Sequence, residues 1–213
     1  TAGFLFEPIQ GEGGVLIPDE GYLKKTFEIC KKHNVLYIAD EIQTGFGRTG
    51  KLFCCEHEGV KPDILIVGKA LGGGLYPVSA ILARNDIMEV FTPGDHGSTF
   101  GGNPLACAVA IASLEVIIEE DLPGKSFEMG NYFVKRLRDI NSPHVREIRG
   151  KGLMIGIEIK KESGTARPFC EALKEEGILA KETHHQVIRL APPLVITKEE
   201  IDWAMERIEK VLR

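Results

Sequence analysis

ILIVGKALGGG (Ile64–Gly74) sets four consecutive apolar residues against a glycine and a lysine, and three more glycines close the stretch. A short unbroken apolar run of this kind reads as a strand buried on both faces, as in parallel sheets, although periodicity alone does not separate it from a buried helix segment. Upstream, VLYIA (Val35–Ala39) is a second such run, and it stops at Asp40-Glu41. Before that run, Tyr22 to His33 places Leu23, Phe27 and Cys30 on one helical face with lysines opposite, and Asn34 is the stop. A further apolar segment, Gly3 to Phe6, closes at Glu7-Pro8. The alternation is that of an α/β fold with a mainly parallel sheet.

Working downstream, STFGGNP (Ser98–Pro104) announces a helix, with Asn103 as N-cap and Pro104 at the first helical position. The helix itself, LACAVAIASLEVIIEE, is small or apolar until Glu119, so it is expected to be buried or packed against another subunit. After Asp121 the pattern becomes that of a smaller α+β unit. Strands are expected at Val145–Ile148, Leu153–Ile159, Ile178–Ala180 and Val187–Leu190, with a helix at Pro168–Glu176 closed by Gly177. A last helix opens on a capping box, Thr197 and Glu200, and carries Ile201, Ala204, Met205, Ile208, Val211 and Leu212 on one stripe. The expected division is a larger unit over residues 1–120 and a smaller one over 121–213.

The chain has 213 residues, 43% of them hydrophobic and 27% charged, which is ordinary for a globular protein. Its net charge of −5 and pI near 5.7, with no basic block, make nucleic acid a poor partner. There is no apolar run of membrane-spanning length, and TAGFLFEPIQ (Thr1–Gln10) lacks the layout of a signal peptide, so a cytoplasmic protein is expected. Five cysteines without a CxxC pair read as reduced thiols. Glycine is the one excess, at 24 residues against a usual share of about 7%. The chain also opens in mid-strand without a start methionine, as the C-terminal part of a longer protein would.

Open α/β sheets present functional groups at the carboxyl ends of their strands. Two of the strands here each deliver one charge, Asp40 after VLYIA and Lys69 after ILIVG. A plain ion pair is the bland interpretation. Against it, Gly68 and Gly72 to Gly74 strip side-chain bulk from around the amine and let a planar ligand approach. A lysine so placed suits imine formation, and a carboxylate opposite a pyridine nitrogen is what pyridoxal phosphate (PLP) chemistry needs. Ser98, Thr99, Gly101 and Gly102, ahead of a helix N-terminus, offer donors to a phosphate, though a glycine-rich cap explains them equally. Competing motifs are missing: Asp63 and Ala70 stand where a Walker loop needs glycine and serine or threonine, no GxGxxG follows a strand, no GxSxG exists, and the six histidines show no metal-ligand spacing beyond the adjacent His184-His185, which reads as an exposed pair.

The motifs EPIQGEGGV (Glu7–Val15), IADEIQTGFGRTG (Ile38–Gly50), PDILIVGKALGGGLYPVSA (Pro62–Ala80), HGSTFGGNPLACAVA (His96–Ala110), RGKGLM (Arg149–Met154) and VIRLAPPLVIT (Val187–Thr197) together span the chain. In them it resembles the class III, fold-type I PLP-dependent aminotransferases, most closely those acting on ornithine. The resemblance implies the C-terminal part of the large PLP-binding domain, mainly parallel with helices on both faces, followed by the small domain. It implies a homodimer whose cofactor sites lie at the subunit interface. It implies Lys69 as the cofactor-linked lysine and proton carrier, Asp40 as the pyridinium partner, Gln43 on the cofactor's 3′ oxygen, and Thr99, with Ser98 beside it, reaching the phosphate of the other subunit's cofactor. Glu12 and Arg189 match a switch pair in which the carboxylate holds the arginine while ornithine reacts and releases it to bind 2-oxoglutarate. A metal is not part of this scheme. Acetylornithine or 4-aminobutyrate aminotransferases and a related phospholyase are the neighbouring activities, and a non-catalytic assembly module is the alternative of another class. A transit peptide ahead of Thr1 would make the location mitochondrial.

Overall fold

The computed structural model describes residues 1–213. They form two compact units, each discontinuous in sequence. The first comprises Thr1–Pro8, Asp19–Phe46 and Phe53–Glu120; the second comprises Ile9–Pro18, Gly47–Leu52 and Asp121–Arg213. No helix is long and apolar enough to cross a membrane.

In the first unit the elements run β1 (Gly3–Phe6), α1 (Tyr22–Lys32), β2 (Leu36–Asp40), β3 (Ile64–Val67), β4 (Ala80–Ala83), α2 (Asn85–Met88) and α3 (Pro104–Glu119). Strands β1, β2 and β3 are parallel and adjacent, and β4 adds antiparallel to β3. α1 covers this sheet with Leu23 and Cys30, which are buried with Tyr37, Ala39, Cys55 and Val60. Tyr37 centres the packing. Its ring lies 4.4 Å from Phe6 and 5.4 Å from Phe27, edge-on to the latter, and its hydroxyl donates to the Leu23 carbonyl at 3.0 Å. Burial pushes this phenol's pKa well up, so it stays a neutral donor.

The second unit carries α4 (Leu122–Asp139), β5 (Val145–Lys151), β6 (Met154–Ile159), α5 (Ala166–Glu175), β7 (Lys181–Thr183), β8 (Val187–Leu190) and α6 (Lys198–Leu212). Its sheet is antiparallel throughout, in the order β5-β6-β8-β7. The central strand β6 shows why: Ile155, Ile157 and Ile159 alternate onto the face that packs with Leu173, Ile201 and Ile208. On its other face Gly156 leaves room for Val15, whose Cβ would stand 3.0 Å from any side chain placed there. Arg48 ties its segment in by donating to the carbonyls of Leu153 at 3.2 Å and Pro192 at 2.6 Å, and burial lowers its pKa to about 10.

The structure corrects two expectations. The strand expected at Ile178–Ala180 lies instead at Lys181–Thr183, because the Ile178 N–H is taken by the Leu173 carbonyl at 2.8 Å in closing α5, after Gly177 in the left-handed region. α5 itself begins at Ala166, two residues ahead of Pro168, since proline is tolerated in a first helical turn. In this single chain α3 buries Ala106 and Ile117, while Leu105, Ile111, Val116 and Ile118 face outward, so the chain itself does not cover the apolar surface for which burial or packing against another subunit is expected.

One packing point admits no side chain. A Cβ on Gly130 of α4 would stand 2.1 Å from the Gly152 carbonyl oxygen, and one on Gly152 would stand 2.5 Å from the Thr49 backbone. Gly130→Ala is therefore expected to lower stability by about 1–3 kcal/mol, as overpacking against backbone does. Thermal or urea unfolding reads this directly, and an unchanged midpoint would refute it.

Candidate active site

Asp40 is the last residue of β2 and pairs in register with Ile66, three residues before Lys69. The carboxyl of one strand and the amine of its neighbour thus leave the same edge of the parallel sheet. Asp40 is half-buried, and its Oδ1 accepts the Ile42 N–H at 3.0 Å, which fixes the side chain's direction. Lys69 follows Gly68 in extended conformation (φ −176°) and itself adopts φ +46°, a left-handed backbone that costs a non-glycine residue of order 1–3 kcal/mol and concentrates at functional sites. In this chain Lys69 is exposed, as are Gly73 and Gly74 beside it, so the amine is open to an approaching ligand.

Gln43 lies in the turn that follows Asp40, and a residue absent from the sequence-based candidates holds that turn. Glu41 is fully buried. Its Oε1 accepts the Cys55 N–H at 2.8 Å; its Oε2 accepts the Cys54 N–H at 2.9 Å and the Thr44 hydroxyl at 2.5 Å. The Glu41 carbonyl takes the Gly45 N–H at 2.9 Å, and a Cβ on Gly45 would stand 2.7 Å from that oxygen. The signal was present as a charged residue directly after a buried strand, but a buried acid is not separable from a solvated one without knowing what faces it.

Ser98 and Thr99 sit on an exposed loop ahead of α3. Ser98 Oγ accepts the Gly101 N–H at 3.0 Å, and Asn103 caps the helix by accepting the Ala106 N–H at 2.9 Å, as its sequence predicts. The body of α3 packs on the turn that begins at Lys69, where the Ser113 hydroxyl donates to the Ala70 carbonyl at 2.8 Å.

In the second unit, Glu12 and Arg189, 177 positions apart, form an ion pair at 2.5 Å. The hydrogen bond from Arg189 holds the Glu12 carboxyl below its ordinary pKa, so acid weakens the pair only as pH falls through that lowered value. Arg149, from the RGKGLM motif, keeps the Glu12 loop in place. It donates to the carbonyls of Val15 at 2.9 Å and Gly14 at 2.6 Å, and it is itself held by Glu158 at 2.6 Å. No group of three or more His, Cys, Asp and Glu side chains is arranged to hold a metal.

The sequence profile described as Aminotransferase class-III matches residues 1–212. The chain belongs to the class-III aminotransferase family. Among its relatives is an ornithine aminotransferase of a Geobacillus species, 63% identical over 211 residues, which cover 99% of this chain and 52% of that protein. Among solved structures, the ornithine aminotransferase of Plasmodium yoelii superposes with a TM-score of 0.96 at 50% identity, covering 99% of this chain and 56% of the other. The acetylornithine aminotransferase of Elizabethkingia anophelis superposes with a TM-score of 0.93 at 55% identity, covering 99% and 56%. The chain thus spans about half the length of the curated relatives it matches. These likenesses establish the α/β fold of the family's large domain for this chain.

Proposed function

We propose that the whole protein is a PLP-dependent ornithine δ-aminotransferase, passing the δ-amino group of ornithine to 2-oxoglutarate in a ping-pong cycle that yields glutamate semialdehyde and glutamate. The observation that carries this reading is the delivery of Asp40 and Lys69 by two neighbouring parallel strands to one sheet edge, in a chain of class-III ancestry. The residues fit the cofactor: an amine among glycines, an oriented carboxyl one strand away, and hydroxyls ahead of a capped helix. When bound, PLP supplies the carbonyl that captures amines and the ring that accepts their electrons.

Lys69 Nζ would hold the cofactor covalently and, once freed by a substrate amine, would serve as the base that moves the substrate's proton. Asp40 holds a proton at the pyridine nitrogen. Gln43 hydrogen-bonds the 3′ oxygen, in a turn whose course Glu41 sets. Thr99, with Ser98, donates to the phosphate of the partner subunit's cofactor, in a cytoplasmic homodimer. Glu12 keeps Arg189 occupied while ornithine reacts, and the guanidinium turns to the substrate carboxylate when 2-oxoglutarate enters, a task suited to its bidentate fork.

Borohydride reduction of the cofactor-loaded, full-length protein followed by peptide mapping is expected to label Lys69; no label, or one elsewhere, would reject the enzyme reading in favour of an assembly module. The 55% identity to an acetylornithine aminotransferase favours one second reading for the donor. Turnover of ornithine, N-acetylornithine and 4-aminobutyrate decides it, and a preference for either of the latter two excludes ornithine as the natural donor.

A further inference from the structure

Lys181 and Arg189 are directly opposed residues of the antiparallel pair β7 and β8. Two cations so placed have Cβ atoms about 5 Å apart on one face and repel each other. Glu12 resolves the repulsion by dividing its carboxylate between them, Oε1 to Arg189 at 2.5 Å and Oε2 to Lys181 at 3.5 Å. Arg189 is the more covered of the two, with its side chain 18% exposed against 63% for Lys181.

The backbone beneath Glu12 is fixed. Gln10 and Leu16 exchange N–H···O bonds of 3.1 and 3.0 Å across the loop, and Val15 N–H bonds the Gly11 carbonyl at 3.2 Å. Val15 is fully buried at φ +52°, a strained conformation for a β-branched residue, and Arg149 grips its carbonyl and that of Gly14. Glu12 can therefore leave Arg189 by rotating its own side chain, without a rearrangement of the loop.

We propose that Lys181 is a positioning residue for the second substrate, the cation that retains the Glu12 carboxylate when Arg189 turns to the carboxylate of the incoming oxo acid. Charge counting supports it. Arg189 and Glu12 alone sum to zero, so a further carboxylate would leave the cluster at −1; with Lys181 the cluster begins at +1 and ends neutral, as two ion pairs from two cations and two anions. Lys181 thus lowers the cost of opening the pair and favours an acceptor with a distal carboxylate over one without. The inference rests on the switch role proposed above for Glu12 and Arg189.

The test is made on the full-length enzyme. Lys181→Met is expected to raise the ratio of KM for 2-oxoglutarate to KM for ornithine by about three- to fivefold, the scale of one exposed ion pair, and to weaken calorimetric binding of glutarate by a similar factor. Lys181→Arg restores both. In a Glu12→Gln background the effect of Lys181→Met shrinks to less than half, because the carboxylate it retains is gone. An unchanged KM ratio, or an effect undiminished by Glu12→Gln, overturns the proposal, the latter showing that Lys181 acts on the substrate directly. If the wild type turns over neither substrate, it is the functional reading that fails. The glutarate titration then decides the inference alone, an unchanged affinity in Lys181→Met overturning it.

Discussion

Lys69→Ala is expected to abolish covalent attachment of the cofactor and to lower kcat by about 10⁴-fold, the upper end of what one positioned proton-transfer group contributes. The cause lies in how the residue is delivered. β3 brings the chain to the sheet edge, Gly68 continues it in extended conformation, and the left-handed backbone at Lys69 sets the direction from which the amine leaves. A shorter, uncharged side chain keeps the strand and the turn but removes the only atom that can bond to a carbonyl. The visible absorbance of the lysine-linked cofactor should vanish, and noncovalent binding should survive through Asp40, Gln43 and the phosphate donors. Lys69→Arg should be equally inactive, because a guanidinium stays protonated and is no nucleophile. Retention of the absorbance in either variant would remove Lys69 from the chemistry.

Local pattern carried the strands and helices whose signals are self-contained. The continuous apolar runs before Asp40 and Lys69 became β2 and β3, and the capping box of Thr197 and Glu200 opens α6 with both reciprocal bonds in place. The signals that failed depend on what lies elsewhere in the chain. Ile178 has strand composition, but a helix-closing hydrogen bond claims its N–H first. β4 is as long as β3, but its two large apolar residues, Ile81 and Leu82, are flanked by alanines that carry no strand preference, and it is recognisable only as the antiparallel partner of β3. The candidate residues divide in the same way. Asp40 and Lys69 were visible because strand ends in α/β sheets are where chemistry is placed. Glu12 and Arg189 were legible only through family resemblance, since a loop acid and a strand arginine 177 positions apart have no local reason to meet. The roles of Arg149 and Glu41 remained hidden because each serves backbone groups, and a sequence does not say which backbone carbonyls or amides will lack a partner.

Glu41→Ala is expected to destabilise the protein by about 3 kcal/mol or more, at about 1–3 kcal/mol for each buried donor left without an acceptor. Three donors converge on this carboxyl, the N–H groups of Cys54 and Cys55 and the hydroxyl of Thr44, and the side chain is fully buried. Glu41→Gln separates the lost volume from the lost acceptor. A glutamine presents one accepting oxygen and one donating nitrogen where both carboxyl oxygens accept, so whichever way the amide turns, a donor meets a backbone N–H. Its loss should fall between wild type and alanine, with unfolding by urea as the measure and faster amide exchange at Cys54 and Cys55 as the local sign. A loss below about 1 kcal/mol for alanine would show that water replaces the carboxyl, and that the turn does not depend on it. The functional consequence follows from position. Glu41 sits between Asp40 and Gln43 in the chain, so a turn that no longer closes on 54–55 loses the fixed spacing of the two groups proposed to hold the cofactor ring and its 3′ oxygen. Cofactor affinity of the full-length Glu41→Gln variant should fall even at temperatures where it remains folded, whereas a purely global loss of stability would leave that affinity intact below the unfolding transition.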